Sequence, residues 1–76
     1  MGIYEFKMLS EREQYNTVFT NGQFVDTVSE GNIKYKLYTL SYFWVEVQYH
    51  NNKIMRISSF VEGEKLNRYS NFPDKI

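Results

Sequence analysis

The stretch Leu37-Tyr38-Thr39-Leu40-Ser41-Tyr42-Phe43-Trp44-Val45-Glu46-Val47-Gln48-Tyr49-His50 decides the fold. It joins large rings to the β-branched residues Thr39, Val45 and Val47, and it contains no Gly, Pro or Asp. Such residues fit a pleated, half-buried surface, so the stretch reads as the inner hairpin of an antiparallel sheet. From Phe43 onward, alternation separates Phe43, Val45, Val47 and Tyr49 from Tyr42, Trp44, Glu46, Gln48 and His50. The first set is assigned to the core face. The second makes an outer face that is polar but carries large rings.

Outward from this hairpin, Ile33 to Leu40 is a strand with Ile33, Tyr35 and Leu37 on one face and Lys34 and Lys36 on the other. Leu40-Ser41-Tyr42 turns it into the central strand. Asn51-Asn52-Lys53 is the strongest turn signal, because Asn tolerates positive φ, and Ile54 to Val61 follows as a fourth strand. Upstream, residues 23–29 make the first strand, joined to the second through Glu30-Gly31-Asn32.

Before the strands, Ser10-Glu11-Arg12-Glu13 is a capping box, with acidic residues at the positive end of the helix dipole. It predicts a helix over residues 11–20, with Tyr15, Val18 and Phe19 as its apolar stripe. Gly22 is expected to stop it in the left-handed conformation. A helix this short is unstable alone, so the stripe must pack on the sheet. Residues 1–10 read as an apolar lead-in, residues 63–70 as a short helix and residues 71–76 as a tail. The expected fold is a single α+β domain. Its N-terminal helix packs on one face of a four-stranded antiparallel meander, ordered 1-2-3-4, with a short C-terminal helix.

Register follows from keeping charge off the core face, since a slip of one residue inverts every side chain. The expected pairs are Leu37 with Val45, Tyr35 with Val47, Ile33 with Tyr49 and Lys36 with Glu46. The next hairpin pairs Val47 with Ile57, Tyr49 with Met55, Gln48 with Arg56 and Trp44 with Phe60. In the first hairpin, Asp26 opposite Lys36 sets Phe24 against Tyr38. Two outer rows result. One is a charge ladder of Asp26, Lys36, Glu46 and Ser58; the other is a row of rings, Phe24, Tyr38, Trp44 and Phe60. Four rings in a row need a cover. It is the C-terminal segment through Leu66, Tyr69 and Phe72, a second copy of the chain, or a ligand such as single-stranded nucleic acid.

Composition bounds the rest. At 76 residues, a single core is only just sufficient, and an aromatic share of 18% helps to build one. The formal net charge is zero, from nine basic and nine acidic residues. That balance argues against a general phosphate-backbone binder and leaves self-association weakly opposed. The absence of Cys excludes disulfides and thiol chemistry and fits a reducing cytoplasm. No signal peptide and no apolar run long enough for a membrane span are read in the sequence.

The chemical inventory is short. His50 is the only His, and four strand positions put it roughly 13 Å from Glu46, too far for a base and its orienting group. No metal spacing, phosphate-cradling Gly loop or nucleophile elbow occurs, so no catalytic residue, metal or cofactor is assigned. Exposed sheet aromatics can stack bases, but no Lys/Arg-Gly-aromatic run accompanies them. The reading is a non-enzymatic protein-interaction module of the cytoplasm, possible as a homodimer. Its interaction-face candidates are Phe24, Tyr38, Trp44, Phe60, Lys36 and Glu46. The alternative is a sheet-platform binder of single-stranded nucleic acid.

The pattern Leu37-Tyr38, Leu40, Phe43, Val45-Glu46-Val47, Tyr49, after a short capped helix, resembles that of small uncharacterised bacterial α+β proteins. The resemblance covers residues 5–60 and implies a compact domain without an assigned activity, so it carries over no site. Where Asp often precedes the Phe in that pattern, this chain has Tyr42.

Overall fold

The computed structural model describes residues 1–61 and Tyr69. Two helices, α1 (Ile3–Lys7) and α2 (Glu11–Asn21), precede four strands, β1 (Gln23–Glu30), β2 (Ile33–Leu40), β3 (Phe43–His50) and β4 (Lys53–Phe60). The strands form one antiparallel sheet in the order β1-β2-β3-β4, so the α+β meander is as expected. The helix over 63–70 and the tail over 71–76 lie outside the described residues, Tyr69 excepted.

The capping box closes as its residues dictate. The Ser10 hydroxyl accepts from the Glu13 amide at 3.2 Å, and the Glu13 carboxyl accepts from the Ser10 amide at 2.9 Å. The expected lead-in instead contains α1, where the Gly2 amide donates to Glu5 Oε1 at 2.8 Å. Five residues are too few to show a helical stripe, and α1 is held by packing. Phe6 is buried with its ring centroid 5.4 Å from that of Phe43. The Gln14 side-chain amide ties the two helices by donating to the Phe6 carbonyl at 3.0 Å.

Gly22 ends α2 by a different device from the one expected. Its φ of −77° and ψ of 157° are extended, not left-handed. The reason for glycine is space: a Cβ there would sit 2.6 Å from the Val18 carbonyl oxygen and 3.4 Å from that of Thr39. The Gly22 amide donates to the same Val18 oxygen at 2.8 Å. The chain therefore leaves the helix in contact with its own last turn and with β2.

All three hairpins have two-residue connections. Asn51 and Asn52 take φ of 53° and 66°, the type I′ pattern. Gly31 (φ 62°) and Ser41 (φ 56°) supply positive φ at the first central position, the type II′ pattern.

The Ser41-Tyr42 turn corrects the expected register of β2 on β3. Leu40 pairs with Phe43, Leu37 with Glu46 and Lys36 with Val47, one residue away from the expected set. The expected pairing needs a three-residue loop, whose last residue is ordinarily a Gly in the left-handed region. Tyr42 stands there instead. A two-residue turn needs positive φ only at Ser41, and turn geometry overrides the wish to keep Lys36 out of the helix side. Consequently Lys36, Tyr38 and Leu40 face the helices, while Tyr35 and Leu37 face away. The β3–β4 register matches expectation at Val47–Ile57, Gln48–Arg56 and Trp44–Phe60. A bulge past Gln48 then places Tyr49 opposite Ile54 rather than Met55. On the other side, Phe24 pairs with Tyr38 as expected, but a bulge sets Asp26 opposite Leu37 instead of Lys36.

The core between sheet and helices is Phe6, Val18, Leu40, Phe43, Val45 and Val47, edged by Ile3, Leu9, Tyr38, Tyr49, Ile54 and Ile57. The opposite face is also covered at its centre, since Leu37, Glu46 and Tyr69 are 0%, 1% and 0% exposed.

Candidate functional site

The six candidate residues do not share one face. Pairs directly opposite in an antiparallel sheet point the same way, so Phe24, Tyr38 and Val45 look toward the helices. Thr39, Trp44 and Phe60 look away. The expected row of four rings is thus two pairs on opposite sides. The charge ladder divides likewise: Lys36 lies with Val47 on the helix side, and Glu46 with Leu37 and Ser58 on the other.

On the outer side, Glu46 is enclosed. Tyr69 donates its hydroxyl to Glu46 Oε2 at 2.8 Å, and both side chains are buried. Tyr69 thus sits at Glu46 on the centre of this face, not on the four-ring row that the C-terminal segment was expected to cover; Leu66 and Phe72 lie outside the described residues. Asp26, across Leu37 from Glu46, accepts the Thr27 amide at 2.8 Å. Trp44 and Phe60 are half-buried beside this arrangement. The centre of the outer face is therefore occupied.

On the helix side the freed rings form a ridge. Tyr15 stacks on Phe19 with centroids 6.4 Å apart, one turn of α2 apart in sequence. Phe19 meets the edge of Tyr38 at 5.9 Å, and Phe24 meets it from β1 at 5.7 Å. The ridge runs from the rim of α2 across the sheet to its edge strand. Its crest is open, with Phe19 47% and Phe24 56% exposed. Sequence reasoning found Phe24 and Tyr38 but assigned Phe19 wholly to packing. The α2 stripe was visible; its overhang past the narrow sheet was not.

Beyond the ridge, Lys36 places its ammonium 5.1 Å from the Tyr49 ring centroid, a cation–π contact. Burial pushes the Tyr49 phenol above the ordinary tyrosine value, and does the same to Tyr38, which also feels Tyr49. Tyr15 is raised first by burial and then by the Glu11 carboxyl beside it.

Among the described residues, no group of three or more His, Cys, Asp or Glu side chains could hold a metal ion, and no helix is long and apolar enough to cross a membrane. No protein-family model, no curated protein and no solved structure matches this chain.

Proposed function

We propose that this protein is a non-enzymatic interaction module, working in the bacterial cytoplasm and meeting a second copy of itself through the Tyr15–Phe19–Tyr38–Phe24 ridge. The observation that supports this reading is the exposure of Phe19 and Phe24 at the crest of a continuous ring stack. Large rings half open to water are the anchors that protein contacts bury, and they lose little side-chain entropy when they do. A second copy suits the ridge because the chain has zero formal net charge, which sets little repulsion against self-association. Such a contact is isologous, each ridge meeting its twin around a two-fold axis. The nucleic-acid alternative would use the same open rings, but the chain has no surplus of Lys and Arg to meet a phosphate backbone, since nine basic residues are balanced by nine acidic ones.

Sedimentation velocity on the intact chain tests the reading. A concentration-dependent dimer should appear, and Phe24→Lys together with Phe19→Glu should convert it to a folded monomer. An intact chain that stays monomeric at high concentration, or one that the double variant leaves dimeric, overturns the proposal. Binding of short oligonucleotides that quenches Trp44 and weakens with salt would favour the alternative instead.

A further inference from the structure

The meander brings the β1–β2 and β3–β4 turns to the same end of the sheet, while the β2–β3 turn lies at the other. Between those two turns lies a cleft of about 260 Å³, lined among others by Ser29, Asn32, Lys34, Tyr49, Asn51 and Asn52. Its floor is set by register. Ser29 lies opposite Lys34, and Lys34 opposite Tyr49, so three side chains stand abreast on adjacent strands. The turns wall it on both sides with Asn amides.

The lining contains no carboxylate, and its one charge is the ammonium of Lys34. A second ammonium stands close behind, because Lys36 is two residues along the same face of β2 and lies over the Tyr49 ring. The remaining polar groups are the Ser29 hydroxyl, the Tyr49 phenol and the Asn side-chain amides, all able to donate. One ammonium in the lining, a second held behind it on the Tyr49 ring, and several donors with no carboxylate among the lining residues match a compact anion. A site of this size takes a small molecule rather than a polymer.

We propose that the cleft between the Gly31-Asn32 and Asn51-Asn52 turns binds the phosphate group of a small soluble phosphate monoester. Lys34 supplies the principal charge, Lys36 reinforces it across Tyr49, and Ser29, Tyr49 and the Asn amides bond the remaining phosphate oxygens and the ester body. The cleft is separate from the ring ridge, since it is lined by none of Tyr15, Phe19, Phe24 or Tyr38.

The test is amide chemical-shift titration of the full chain with glycerol 3-phosphate, inorganic phosphate, glycerol and sodium chloride at matched ionic strength. Saturable shifts confined to Ser29, Asn32, Lys34, Tyr49, Asn51 and Asn52 are expected with both phosphates, stronger with the ester, and absent with glycerol and chloride. Lys34→Gln, a change at an exposed position, should weaken the phosphates at least tenfold while leaving the remaining spectrum in place. Equal shifts with chloride, saturable shifts elsewhere, no shifts at these residues, or unchanged binding by the Lys34→Gln chain would overturn the proposal. If both phosphates bind with equal strength, the ester-specific part fails. If vesicles carrying a phosphate-monoester lipid bind while the soluble ester does not, a membrane headgroup replaces the soluble ligand and the proposal fails as stated.

Discussion

Replacing Gly22 by Ala is a sign test of how α2 is joined to the sheet. In ordinary circumstances the change stabilises a position with negative φ by about 0.4–1 kcal/mol, because the unfolded chain loses freedom. The φ here is −77°, so backbone conformation gives Ala no penalty. Space decides the matter. The new Cβ would lie 2.6 Å from the Val18 carbonyl oxygen, well inside contact distance, and that oxygen belongs to backbone that cannot swing away. It also accepts the Gly22 amide at 2.8 Å, so retreat stretches or breaks that bond. A lost hydrogen bond costs about 1 kcal/mol and local overpacking about 1–3 kcal/mol. Set against the entropy gain, the net expectation is a loss of about 1–3 kcal/mol. Urea denaturation followed by Trp44 fluorescence reads it directly. In a thermal melt, each kcal/mol should lower Tm by about 4–8 °C in a domain of this size. A Gly22→Ala chain more stable than the parent would refute the close-approach reading and restore a purely conformational role for this glycine.

Leu37→Ala should cost about 2–5 kcal/mol, because Leu37 is fully buried on the face away from the helices; a urea midpoint near the parent's would show that face open. Ser10→Ala removes one half of the capping box and should cost about 1 kcal/mol, with helical signal lost at 222 nm before the sheet melts. Tyr15, Tyr38 and Tyr49 have folded-state values raised above the ordinary 10.0. Their contribution to stability is therefore fully present below 10.0 and is lost as pH rises through that region. Absorbance at 295 nm should show part of the tyrosines ionising late, and the urea midpoint should fall as pH rises above 10.0; seven phenols titrating together would contradict it.

Much of this fold was legible because local signals were redundant. Alternation in Phe43 to Tyr49 marked β3, the Asn pair marked a type I′ turn, and Ser10 with Glu13 marked where α2 begins. The β2–β3 register was not legible from hydrophobic pattern, because Ile33, Tyr35 and Leu37 look like a core face by themselves. Two facts reversed them. The Ser41-Tyr42 turn accepts only two residues, and the outer face is also buried, so Leu37 loses nothing by facing away. The β1 bulge was equally silent, since Val25 differs from its neighbours in no way that marks an extra residue. The candidate face inherited these errors. Phe24, Tyr38, Trp44 and Phe60 were correct as cross-strand pairs and wrong as a row, because a single slip between β2 and β3 lies between the two pairs.

The same slip carries the ring ridge. A two-residue turn closing on the hydrogen-bonded pair Leu40–Phe43 makes Thr39–Trp44 and Leu37–Glu46 the close, non-hydrogen-bonded pairs of the ladder. Their Hα atoms should give strong mutual Overhauser contacts in the intact chain, accompanied by ring contacts from Phe19 to Tyr38. Strong Hα contacts from Leu37 to Val45 or from Lys36 to Glu46 instead would return Lys36 to the outer face, reunite the four rings there and remove the ridge on which the proposed function rests.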